Sequence, residues 1–127
     1  MYEVMICDIE NSRELVNRDE VQLLLIDILK RCNEKYKDTI IAPFRITTGD
    51  EWEGLLKIDS PKLEIMNFFS DNLPDYINFY TGIGIGELSI SDLTLPVNVL
   101  DGPAFHAARD AIKYGKKKNL NLVLFKK

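Results

Sequence analysis

Two cysteines, one histidine and one tryptophan are spread thinly over 127 residues, and what is scarce narrows the chemistry first. Cys7 and Cys32 have neither the Cys-x-x-Cys spacing of a zinc or redox site nor the density of a disulfide scaffold, and both sit in apolar segments. They read as reduced core residues. His106, with no second histidine or nearby cysteine to share a metal, reads as a structural or surface residue rather than a catalytic one. No stretch approaches the roughly 20 apolar residues of a membrane span, and no basic segment precedes the first apolar run. A cytoplasmic protein with no membrane partner is expected. Repeats, low-complexity runs and Pro/Gly/Ser linkers are also absent, so residues 1–127 are read as one domain. At 46% hydrophobic it can bury a core unaided.

The net charge of −4 hides an asymmetry. All twenty acidic residues and ten of the basic ones fall within residues 1–112, while 113–127 carry six lysines and no acid. A body at −10 lacks the broad basic face that a nucleic-acid backbone requires, so direct nucleic-acid binding is not expected. The lysines at 113 and 116–118 suit a helix end, where the macrodipole favours cations, and they could also form a small phosphate clamp.

What is present is a regular alternation of elements. Tyr2 to Ile9 is almost continuously apolar, as in a strand covered on both faces, and it runs into Asp8 near its end. A polar stretch leads to a helix that Asn17 and Glu20 can cap, with Val21, Leu24, Leu25, Ile28, Cys32 and Tyr36 as its buried stripe. Strands over 40–47 and 52–58 flank Gly49-Asp50, a pair suited to a tight hairpin turn with Asp50 at the tip. Ser60-Pro61 opens a second helix with Leu63, Met66, Phe69 and Leu73 on its apolar face. The next strand, 77–86, alternates large residues with Gly82, Gly84 and Gly86, a bare stripe that requires a close neighbour, a packed helix in preference to a ligand. Residues 88–100 read as irregular with room for a short hairpin. Gly102-Pro103 starts a last helix to about Tyr114, capped by Gly115, and 121–125 forms a final strand. The order β-α-β-β-α-β plus an appended helix and strand defines an α/β (α+β) fold, a ferredoxin-like palm domain.

In such a sheet the first strand adjoins the central hairpin, which brings Asp8 and Asp50 to one edge. Carboxylates gathered from separate strands repel one another unless a divalent cation neutralises them, and Mg²⁺ or Mn²⁺ with substrate phosphates as further ligands is the natural occupant. Glu10, Glu51 and Glu53 are nearby acids that either join the site or solvate its rim. Arg13, just beyond the first strand, could meet a triphosphate or a rim acid. Asp101 suits the start of the last helix, and Trp52 suits the core.

Four blocks carry a family resemblance: Cys-Asp-Ile-Glu-Asn-Ser-Arg (7–13), Thr-Gly-Asp-Glu-Trp-Glu-Gly-Leu-Leu (48–56), Gly-Ile-Gly-Ile-Gly-Glu (82–87) and Asp-Gly-Pro-Ala-Phe-His-Ala-Ala-Arg-Asp-Ala-Ile (101–112). Together they resemble the SatD family, which implies a bacterial source. More distantly they are similar to class III nucleotide cyclases and GGDEF-type diguanylate cyclases. That likeness implies metal binding by Asp8 with Asp50 or Glu51, catalysis through Asp8 and Asp50, and a phosphate contact from Lys117 or Lys118. Thr48 stands where GGDEF domains have their first glycine, so a guanine preference is not carried over. Three functions are compatible: an Mg²⁺-dependent nucleotidyl cyclase or transferase acting on a nucleoside triphosphate, as a homodimer; an inactive module sensing a nucleotide or other small anion; and a structural ferredoxin-like adaptor.

Overall fold

The computed structural model describes residues 1–90 and 92–127. Five strands, β1 (Tyr2–Ile9), β2 (Ile40–Thr48), β3 (Glu51–Lys57), β4 (Phe79–Gly86) and β5 (Leu122–Lys126), form one sheet in the order β2-β3-β1-β4-β5. β1 is antiparallel to both β3 and β4, β2 is antiparallel to β3, and β5 runs parallel to β4. This is the split β-α-β arrangement expected of a ferredoxin-like palm, with β5 added at an edge by a crossover helix.

The near-continuous apolarity of β1 follows from its central place. Met5, Cys7 and Ile9 face one side and Val4 and Ile6 the other, and all five are buried. At the opposite edge β2 carries Pro43 and three register irregularities, features that blunt an exposed edge against further pairing.

Helices α1 (Arg18–Lys35) and α2 (Lys62–Asn72) cover the Met5 side, where Trp52, Phe44, Phe69 and Phe79 build an aromatic core. Trp52 is fully buried, as its sequence context suggested. Helix α3 (Pro103–Lys118) covers the Val4 side, where Val97 and Leu100 of the preceding connection also pack, so the helices occupy both faces. The glycine stripe is explained by this helix. A Cβ on Gly84 would stand 2.1 Å from the Ala104 carbonyl oxygen, and one on Gly82 2.5 Å from the Ile112 nitrogen. Small residues on both partners let backbone meet backbone.

Several local expectations are corrected. α3 does not stop at Gly115 but continues to Lys118, ending at Asn119 in the left-handed conformation (φ 56°). Lysine is a good helix former, and Gly115 is small for another reason: a Cβ there would meet the Leu120 carbonyl oxygen at 2.8 Å. The buried face of α2 is Ile65 and Phe69, followed by Leu73, while Leu63 is exposed. Ser60 does not cap α2. Its hydroxyl is taken by the buried carboxylate of Glu3, which also accepts from the Asp59 amide (3.0 Å) and pairs with Lys62 (3.1 Å). Asn17 caps no amide with its side chain and instead donates to the Tyr76 hydroxyl. The 88–100 connection includes Ser91, which lies outside the described residues, and it carries a short 3-10 turn at Val97–Val99.

Candidate functional site

The site grows from strand alternation. Val4 and Ile6 of β1 and Leu55 of β3 pack beneath α3, so the next even position of β1 and the odd positions of β3 face the same way. Asp8, Glu51 and Glu53 occupy those positions. In register, Asp8 lies between Glu51 on β3 and Tyr80 on β4.

Two cations from α3 meet this acidic row. Lys116 pairs with Asp8, while Arg109 pairs with Glu51 at 2.6 Å and reaches Glu53 at 3.7 Å. Glu51 has a further partner, because the Thr48 hydroxyl donates to its second oxygen at 3.1 Å. Burial raises the Asp8 carboxyl above its ordinary value; Lys116 opposes that rise, and Asp50 and Glu51 add to it. Glu53 is pushed up to about 7, chiefly by burial, with Arg109 holding it down and Glu51 adding to the rise. The electrostatics are those of a carboxylate row partly covered by cations.

Beyond the row is an open hollow of about 470 Å³ whose lining includes Asp8, Glu10, Asn11, Arg13, Asp50, Tyr80 and Lys116. The β1–α1 connection shapes it. Asn11 turns through the left-handed region (φ 55°) into a single 3-10 turn, Ser12–Glu14, which carries Arg13 over the rim. The two-residue turn between β2 and β3 closes the other side; Gly49 supplies its positive φ of 37°. The Ile9 amide donates to the Asp50 carbonyl at 3.1 Å and ties the hairpin tip to the end of β1.

The structure thus brings Asp8, Asp50 and Arg13 to one hollow. Glu51 stands on the same row, with both oxygens engaged. Lys117 and Lys118 are exposed and do not line the hollow; Lys116 does. Its position was readable from spacing, since Ala104, Ala108 and Ile112 form the sheet-facing stripe of α3 and Lys116 is the next step of four. Arg109, seven residues before Lys116, and Tyr80, the β4 partner of Asp8 in register, are the other contributors not singled out from sequence. His106 is exposed and pairs with Asp101 at 3.1 Å, and both cysteines are buried thiols whose pKa burial raises.

The donor set can be tested against a divalent cation. Among the described residues no three His, Cys, Asp or Glu side chains gather closely enough to cage a metal by themselves. Two aspartates sharing an open hollow with Arg13 and Lys116 do fit Mg²⁺, which takes one or two carboxylates and completes its shell with water and substrate phosphate.

This architecture is found in solved proteins. A microbial GGDEF domain, described for its interaction with bis-(3,5)-cyclic di-GMP, superposes with a TM-score of 0.60 at 19% identity over 98% of this chain and 76% of that one. A bacterial light-regulated adenylyl cyclase gives 0.60 at 15% identity, with 97% and 74% covered. The guanylyl cyclase domain of the RhoGC fusion protein from the fungus Blastocladiella emersonii gives 0.58 at 19% identity, with 88% and 72% covered. No curated protein matches the chain. The fold is therefore that of the nucleotide-cyclase palm domains. The SatD family matches residues 2–121, and the chain belongs to that family.

Proposed function

We propose that this chain is a palm-type nucleotide-binding domain in which Asp8 and Asp50 hold Mg²⁺ against the phosphates of a nucleoside triphosphate. The observation that carries this reading is the convergence of both aspartates, Arg13 and Lys116 on one hollow of a cyclase-like palm. When bound, the cation would neutralise phosphate charge and lower the pKa of an attacking ribose hydroxyl, as in nucleotidyl cyclisation or transfer. The chain's own residues do the rest. Asp8 and Asp50 supply hard oxygen ligands, while Lys116 and Arg13 offer donors to the phosphate oxygens. Arg109 holds Glu51 in place at the inner side of the row.

Turnover is tested by incubating the protein with each of the four NTPs and Mg²⁺ or Mn²⁺ and analysing products by mass spectrometry. Cyclic or linked nucleotide formed by the native chain and lost in Asp8→Asn establishes an enzyme. Stabilisation by an NTP with no product assigns the sensing role instead, the reading favoured by the pairing of Asp8 and Glu51 with cations of α3. A ligand at 100 times its Kd raises stability by about 2.7 kcal/mol, well within reach of a thermal-shift measurement. No product and no stabilisation from any NTP removes the nucleotide reading.

A further inference from the structure

We infer that Lys116 is a latch on Asp8, so that a divalent cation and a phosphate chain enter the hollow together rather than singly. The inference rests on the site reading just given and concerns how that site is regulated. The Asp8 side chain is 14% exposed and its carboxylate is engaged by the Lys116 ammonium. The neighbouring carboxylate, Glu51, is engaged by Arg109 and Thr48. Lys116 and Arg109 lie seven residues apart, two helical turns, and so project from one side of α3.

A bare dication approaching Asp8 therefore meets the Lys116 ammonium already paired with it. α3 cannot withdraw to relieve this, because its backbone is in contact with Gly82, Gly84 and Gly86. Only the Lys116 side chain, 44% exposed and flexible, can move. The acceptor best placed to draw it away is a phosphate group held in the same hollow, which Arg13 also lines. A phosphate that takes the ammonium frees an Asp8 oxygen for the cation, and by reciprocity the cation strengthens the hold on phosphate. Lys116 acts here as a positioning residue, through Asp8.

The test is a Mn²⁺ titration followed by electron paramagnetic resonance on metal-free protein, with Lys116→Met, Lys117→Met, Asp8→Asn and the Lys116→Met/Asp8→Asn double variant compared with the native chain. Lys116→Met should bind Mn²⁺ about tenfold more tightly than the native chain, a modest value for a partly exposed charge pair. The double variant should lose that gain. Lys117→Met, with the same change in net charge at a position outside the hollow, should alter affinity by no more than about twofold. With a chelator present and inorganic triphosphate as the probe, Lys116→Met should bind more weakly than the native chain. If Asp8→Asn weakens Mn²⁺ binding but Lys116→Met does not improve it, or improves it no more than Lys117→Met, the latch is wrong and the metal site stands. If Mn²⁺ binding is absent or insensitive to Asp8 throughout, the site reading and the latch both fall. Thermal melts of each variant show that loss of fold is not the cause.

Discussion

The two faces of the sheet are built on opposite terms. The α1/α2 face is filled by large side chains, with Trp52, Phe44, Phe69 and Phe79 in edge and tilted ring contacts, and its stability depends on volume. The α3 face is nearly the reverse: glycines of β4 lie against Ala104, Ala108 and Ile112, and backbone approaches backbone. That close approach is what lets Arg109 and Lys116 reach carboxylates standing on the strands. One face holds the fold together, and the other brings α3 near enough to define the site.

Substitutions that remove or add volume should separate the faces most sharply. Phe69→Ala, a buried ring at the centre of the aromatic cluster, should cost about 3–5 kcal/mol in urea unfolding. Gly84→Ala adds a single methyl yet should cost about 3 kcal/mol, because the new atom meets the Ala104 carbonyl and the Ala108 amide nitrogen, neither of which can turn aside. Gly54→Ala makes a useful contrast on the aromatic side. Its Cβ would come within 2.8–2.9 Å of the Phe44 ring, a side chain rather than backbone, so a smaller cost of about 1–2 kcal/mol is expected. Equal costs at Gly84 and Gly54 would erase the distinction between the faces.

A pH series sharpens the same comparison through Glu53, an acid on the α3 side whose pKa burial raises. Glu53 has a folded-state pKa of about 7 against an ordinary value of 4.5. The folded protein therefore holds this proton more tightly than the unfolded chain. Its stabilising contribution is complete below about pH 4.5 and is lost as pH rises through about 7. Between pH 5 and pH 8, with a chelator present, the native chain should lose on the order of 2 kcal/mol relative to Glu53→Gln. Thermal melts of the pair, compared at each pH, check both sign and size. A constant difference would show that Glu53 titrates normally.

Much of this was legible in residue order, and the parts that were not have tertiary causes. β1 declared itself through unbroken apolarity and the hairpin through Gly49-Asp50, and the glycine stripe on β4 called for a close helix, which proved to be α3. The end of α3 misled because Gly115 resembles a cap when its real neighbour, Leu120, lies outside the helix. A helix ended there leaves Lys116, Lys117 and Lys118 as equivalent charges beyond it; extended to Lys118, it has Lys116 as the next step of four after Ala108 and Ile112. Ser60-Pro61 has the look of a capped helix start in sequence because the competing carboxylate, Glu3, is 57 residues away. Asp8, Asp50 and Arg13 were picked out from sequence and share one hollow, whereas Arg109 and Tyr80 depend on a face assignment that spacing alone left open.

The most direct test of the account is a crystal grown with Mn²⁺ and a nonhydrolysable ATP or GTP analogue, with anomalous scattering used to place the metal. The account predicts an anomalous peak bridging carboxylate oxygens of Asp8 and Asp50 and an oxygen of the analogue's phosphate chain, with the Lys116 ammonium moved from Asp8 onto phosphate. Nucleotide bound elsewhere, or a hollow in which Lys116 still pairs with Asp8 and no metal is found at saturating Mn²⁺, would contradict it.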